Sequence, residues 1–296
     1  MGILSRRGLL IGGIGAAVLT VGGTGFELVR DGTLPGKYQL DRITGACGDD
    51  PGVPAVAAGP VVASAFASRY RKRTVEMIVM RPPGQHGPLP VVIALHGLGG
   101  DARSAVSLGY PRYLAAAVAG GAAPFAIVSV DGGSTYWHRR ADGDDPPGMI
   151  GYEVLPRLEA AGYRVGRAGL IGWSMGGYGA LLLASTLGPD RVAAVAASSA
   201  AVFASYAAAA GADPGAFDGA ADFAANNVRS PGRLAVLRRI PVRIDCGGDD
   251  PFAAQDTLLR DDLGHPAGAI TGGCHDQAFW RRALPAHLAF LAPRLP

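Results

Sequence analysis

Short, almost unbroken apolar runs recur along the chain at Val91–Leu95, Phe125–Val130, Ala168–Ile171 and Val192–Ala197. Runs of this length, without alternation, predict strands buried on both faces of a sheet. Val242–Asp245 and the shorter Ala269–Thr271 extend the series. Arg73–Met80 differs, because Thr74 and Glu76 alternate with Val75, Met77 and Val79, which predicts an antiparallel strand ahead of the buried ones. Between the runs lie stretches that read as helices: Tyr110–Gly121, Glu153–Ala161, Tyr178–Leu187, Asp256–Leu263 and Phe279–Leu291. Strands alternating with helices predict an α/β protein with a mostly parallel central sheet and helices on both faces.

Three segments fall outside this rhythm. Residues 1–25 carry Ser5-Arg6-Arg7-Gly8-Leu9-Leu10 ahead of a glycine-rich apolar run, Leu9–Val21, and read as a twin-arginine type export signal. Without an evident Ala-x-Ala cleavage site, an uncleaved anchor tethering the chain to a membrane is the alternative. Residues 26–70 are dense in Gly, Pro, Ala and Asp and read as an extended arm over the body, which spans 71–296. Within the body, 198–237 lacks a strong period and reads as a lid-like insertion.

Composition bounds the chemistry. Of 296 residues 49% are hydrophobic and 17% charged, enough for a large core. The net charge of +3 is modest, and no basic face interleaved with aromatics appears, so nucleic acid is not an expected partner. The three cysteines, Cys47, Cys246 and Cys274, form no Cys-x-x-Cys or other metal-ligand spacing. Neither a metal nor an organic cofactor is expected. In an exported chain one disulfide and one free thiol follow, with Cys246–Cys274 the first choice and Cys47 with either as the alternative.

The candidate chemistry centres on Gly172-Trp173-Ser174-Met175-Gly176. Glycine fills 45 positions, so composition alone yields about 0.3 such Gly-x-Ser-x-Gly matches by chance. What raises the motif is its context, a buried strand before it and a helix after it. That is the nucleophile elbow of α/β-hydrolases, a turn too tight for side chains at its glycines, with a strained serine at the tip. His96-Gly97-Leu98-Gly99-Gly100 follows Val91–Leu95, where this fold supplies half of an oxyanion hole. The Leu98 and Met175 N–H groups are the candidate donors, and His96 is expected to order its loop. Tyr136, Trp137 and His138, after the Phe125–Val130 strand, are candidates to line a substrate cleft together with Trp173.

The chain order serine, acid, histidine is that of the α/β-hydrolase triad. His275 follows the last strand, in a Gly-rich turn. Asp249 and Asp250 both follow the Val242–Asp245 strand, and either could hold the imidazole. The chemistry requires all three types: an imidazole to take the serine proton, and a carboxylate to fix the imidazole tautomer. His86 is expected in solvent, and His265 and His287 in solvent or packing.

From Arg73 onward the sequence resembles the esterase family that contains esterase D (S-formylglutathione hydrolase), feruloyl-type esterases and the secreted mycolyltransferase antigens. The resemblance rests on His96-Gly97-Leu98-Gly99-Gly100, on Gly172-Trp173-Ser174-Met175-Gly176-Gly177-Tyr178-Gly179-Ala180, on Asp250-Pro251-Phe252, and on His275 with Trp280-Arg281. It implies Asp250 rather than Asp249 as the acid, from the Asp-x-Phe context. Together with the export signal read over residues 1–25, it implies an exported serine esterase acting through Ser174, His275 and Asp250 on a small or cell-envelope ester. Mycolyltransferases carry a glutamate acid, and none follows the Val242–Asp245 strand. The alternatives are an acyltransferase acting on envelope glycolipid or polysaccharide, a lid-bearing lipase or peptidase, and a hydrolase-like surface binding protein without catalysis.

Overall fold

The computed structural model describes Leu28 and residues 36–296. The predicted export signal and the start of the arm lie outside the described residues. Among the described residues no helix is long and apolar enough to cross a membrane.

Eight strands form one sheet: β1 (Val61–Ser68), β2 (Arg73–Met80), β3 (Pro90–Leu95), β4 (Ala126–Val130), β5 (Arg164–Trp173), β6 (Val192–Ser198), β7 (Val242–Gly247) and β8 (Ile270–Thr271). Their spatial order is β1-β2-β4-β3-β5-β6-β7-β8. β2 runs antiparallel to both of its neighbours, and β4 onward is parallel throughout. This is the α/β-hydrolase architecture. Within β3 the pleat sends Val91, Ile93 and Leu95 into one core cluster and Val92 and Ala94 into the other. The unbroken apolar run is therefore the signature of a strand covered on both sides. The elbow helix (Met175–Leu187) packs on the first face; the helices Tyr110–Ala119 and Gln277–Leu291 pack on the second.

The segment read as an arm does more than lie over the body. Its end forms the edge strand β1, and Lys37–Ile43 is a short helix. Several contacts hold it, among them the following. Cys47 is disulfide-bonded to Cys274, Arg281 pairs with Asp50 at 2.5 Å, and the Tyr113 hydroxyl donates to the Gly52 carbonyl at 2.6 Å. The first-choice pairing Cys246–Cys274 is therefore corrected. Cys246 lies opposite Ile270 in the β7–β8 ladder, and its thiol is buried and free. Burial pushes that thiol upward, keeping it protonated.

The insertion 198–237 folds as three short helices after the end of β6: Tyr206–Ala212, Ala220–Asn226 and Pro231–Leu237. It is tied to the body by Tyr178, whose hydroxyl donates to the Asn226 carbonyl at 2.7 Å, and by an Arg229–Asp262 pair at 2.7 Å.

Candidate active site

Ser174 sits between β5 and the elbow helix with φ 57° and ψ −126°. A non-glycine residue in that region is strained and persists only where its surroundings impose it. Here they do. The Ser174 N–H donates to the Ser198 carbonyl at 2.9 Å, and the Ser174 carbonyl accepts from Ala201 at 3.0 Å and Tyr178 at 3.1 Å. The flanking glycines are required by contact: a Cβ at Gly172 would lie 2.1 Å from the Gly176 carbonyl oxygen, and one at Gly176 would lie 2.0 Å from that of Leu95.

Two loops bring the partners. β7 ends in the turn bearing Asp250, whose side chain is buried; the turn after β8 bears His275. Asp250 Oδ1 accepts the Phe252 N–H at 2.9 Å, and Oδ2 accepts from His275 Nδ1 at 2.8 Å. With the Nδ1 proton on the carboxylate side, His275 Nε2 is the acceptor for the Ser174 hydroxyl, 2.9 Å away. Serine, histidine and aspartate thus form one hydrogen-bonded line across residues far apart in sequence. Asp249 points elsewhere, accepting from Lys37 Nζ of the arm at 3.0 Å. Asp245 is engaged by Arg243 at 2.7 Å and by His287 Nε2 at 3.0 Å, so His287 has a buried polar partner rather than a place in solvent. Behind the acid, Asp256 is fully buried and accepts the Ala200 N–H at 2.9 Å. Burial and, secondarily, the neighbouring Asp250 charge push its carboxyl well up.

The His96–Gly100 loop lies beside the elbow; a Cβ at Gly97 would be 3.3 Å from that of Ser174. Neither the Leu98 N–H nor the Met175 N–H donates to another described residue. Met175 opens its helix, where an N–H has no intrahelical acceptor. His96 orders this loop as expected. Its Nδ1 donates to the Gly97 carbonyl at 2.8 Å, and its Nε2 accepts the Gly132 N–H at 2.9 Å. Burial lowers its pKa from the ordinary 6.5, favouring the neutral ring. A depressed histidine contributes stability that is complete above the unfolded-state value and is lost as pH falls through the folded one. The thermal midpoint of the native protein should therefore exceed that of His96→Gln by a margin that shrinks between pH 7 and pH 5. A margin constant across that range would contradict this role.

The site opens into a cavity of about 490 Å³ lined by Leu98, Trp173, Ser174 and His275 together with Tyr136, Phe203, Asp213, Phe252 and Trp280. Phe252 and Trp280 meet the His275 ring edge-on, with centroids 5.2 and 5.3 Å away. Of the residues predicted to line the cleft, Tyr136 and Trp173 do; Trp137 and His138 do not. Trp137 is buried beneath the elbow helix, its Nε1 donating to the His96 carbonyl at 3.1 Å, and its ring fills the space a Cβ at Gly132 or Gly179 would need. His138 donates through Nε2 to the Ala216 carbonyl at 3.1 Å and stacks on Phe217. The physical reason is backbone: Tyr136 and Trp137 have φ of 51° and 56°, and two successive left-handed residues redirect the side chains of the loop. Phe203, Phe252 and Asp213 were not anticipated. Phe252 carried a signal, since it closes the Asp250-Pro251-Phe252 turn; the other two sit in the aperiodic insertion. Among the described residues, no group of three or more His, Cys, Asp or Glu side chains is placed to hold a metal ion.

Comparison with known proteins bears on the fold. A ferulic acid esterase structure superposes with TM-score 0.68 at 22% identity, covering 81% of this chain and 100% of that one. An S-formylglutathione hydrolase from Agrobacterium tumefaciens gives 0.67 at 17% identity, with coverage of 83% and 99%. MPT51 of Mycobacterium tuberculosis gives 0.62 at 17%, with coverage of 81% and 100%. At these identities the likeness establishes the fold. No protein with a curated description matches the sequence. The family model described as "Putative esterase" matches residues 68–291, so the chain belongs to that esterase family and is a serine hydrolase.

Proposed function

We propose that this protein is an exported esterase that cleaves carboxylic esters through an acyl-enzyme on Ser174. The observation that carries the reading is the unbroken relay from Ser174 Oγ through His275 to Asp250, at 2.9 and 2.8 Å. Ser174 Oγ attacks the ester carbonyl as His275 Nε2 takes its proton, and the imidazolium that forms is held by the buried Asp250 carboxylate. The carbonyl oxygen, now bearing charge, accepts from the Leu98 and Met175 N–H groups; one such donor supplies on the order of 3 kcal/mol. His275 returns the proton to the departing alcohol. Water then repeats the sequence, with His275 as base, and releases the acid.

The cavity wall informs the substrate. Its aromatic side chains suit an apolar or ring-bearing ester, and apart from His275 its one ionisable carboxyl or basic group is Asp213. A carboxylate with no neighbouring cation in the wall disfavours an anionic group in the bound ester. The Cys47–Cys274 bond supports export, because disulfides persist in oxidising compartments, and it agrees with the twin-arginine type segment over residues 1–25.

A rapid-mixing assay with neutral 4-nitrophenyl esters of increasing acyl length tests the acyl-enzyme. The expected result is a burst of nitrophenol approaching one equivalent per enzyme, followed by slower turnover. An enzyme with no turnover of any chain length would contradict the reading.

A further inference from the structure

A second cavity, of about 340 Å³, shares no lining residue with the catalytic one. Its floor is apolar, made by Leu182, Leu183 and Leu187 of the elbow helix. Its wall is cationic: Arg139, Arg191 and Arg233 all line it, against a single carboxylate, Asp145. Asp145 is already occupied, its Oδ1 capping the next helix by accepting the Gly148 N–H at 2.8 Å.

Arg233 is the unusual member. It is half-buried, yet its guanidinium meets only neutral acceptors: Ser185 Oγ and Thr186 Oγ1 at 3.0 Å through Nη1, and the Ala225 carbonyl at 2.8 Å through Nη2. Its Nε–H donates to no described residue, and no carboxylate forms an ion pair with it. A guanidinium taken partly out of water without a counter-ion is costly, and burial accordingly depresses its pKa. Arg139 and Arg191 are exposed, and their side chains likewise have no partner among the described residues. Arg71 and Arg140 pair with Asp144 and Asp218, and the half-buried Arg81, Arg260 and Arg282 hydrogen-bond only to backbone carbonyl oxygens, but none of these lines the cavity. Ser185 and Thr186 hold the Arg233 fork in place from one side, so the group is pre-set rather than mobile.

We propose that this cavity is a binding site for an organic carboxylate with an apolar body, its head group on Arg233 and its chain on the Leu182–Leu187 floor. A planar carboxylate matches the guanidinium fork in a way a neutral head group cannot, and the apolar floor adds affinity that an inorganic anion would not gain. The assignment does not depend on the chemistry of Ser174.

Photolabelling tests it directly. The probe is an eight-carbon alkyl carboxylate bearing a diazirine, with the corresponding alcohol as control, and labelled residues are mapped by mass spectrometry. The expected labels fall on Tyr152 and the Leu182–Leu187 segment, and are competed by octanoate but not by octanol. Arg233→Met should reduce labelling there at least tenfold. Arg191→Met, which removes no intramolecular bond, should reduce it about threefold, and Arg112→Met, distant from the cavity, should leave it unchanged. Labels confined to the catalytic cavity, equal labelling by the alcohol, or labelling unchanged in both Arg233→Met and Arg191→Met would overturn the proposal.

Discussion

Asp250→Asn should lower kcat on a 4-nitrophenyl ester by roughly a thousandfold or more, whereas Asp249→Asn should leave it within about threefold of the native value. The two side chains are adjacent in sequence and opposite in circumstance. Asp250 is buried with both oxygens committed, one to the Phe252 N–H and one to His275 Nδ1. An amide there can present its NH2 to Nδ1, which stabilises the tautomer with the proton on Nε2. That proton blocks the acceptance of the Ser174 hydrogen, and no carboxylate remains to stabilise the imidazolium. Asp249 is about one-third exposed and pairs with Lys37, an interaction of the kind worth less than about 1 kcal/mol. Steady-state kinetics on both variants, with circular dichroism to confirm the fold, gives the comparison. The reverse ranking would move the acid to Asp249.

The second large effect concerns the arm. Breaking the Cys47–Cys274 bond, by reduction or by Cys47→Ser, should cost about 2–4 kcal/mol of stability, because the bond closes a loop between residues 227 apart and its loss frees the unfolded chain. For a domain of this size that corresponds to a fall of roughly 4–16 °C in the thermal midpoint. Activity should fall with it, since Cys274 immediately precedes His275. The same arm reaches the other triad loop through Lys37 and Asp249, and grips the terminal helix through Arg281 and Asp50. Cys246→Ser should change neither quantity appreciably, as that thiol takes no part in the disulfide. Melting curves for oxidised, reduced and variant proteins make the test; coincident oxidised and reduced curves would show that the bond does not hold the arm.

These two predictions draw on different depths of sequence information. The strands β3 to β6 were legible because two-sided burial leaves an apolar run, β2 because its polar and apolar residues alternate, and the elbow because its glycines are demanded by backbone contacts of about 2 Å. Ser174, His275 and an acid at Asp249 or Asp250 followed from chain order and from the turns that end parallel strands at one edge; the choice of Asp250 came from the family resemblance. β1 was not legible: it is an edge strand whose first five residues are all exposed, so burial imposes no pattern on it. The helices of the insertion are seven residues each, and two of them are alanine-rich, too short to establish a period. The disulfide is the second choice of the sequence reading rather than the first, because spacing does not encode pairing; the partner of Cys274 comes from an arm that crosses the body, not from the neighbouring strand. Trp137 and His138 were misplaced because two left-handed residues turn the loop, and no hydrophobic pattern announces a positive φ.

The family assignment stands on the matched model and the shared fold; the identity of the nucleophile is the claim on which the mechanism turns. Incubation with a fluorophosphonate, followed by digestion and mass spectrometry, addresses it directly. The account predicts one modified residue, Ser174, with ester cleavage lost in proportion to labelling. A folded Ser174→Ala protein that still took up the probe and still cleaved the ester would contradict it.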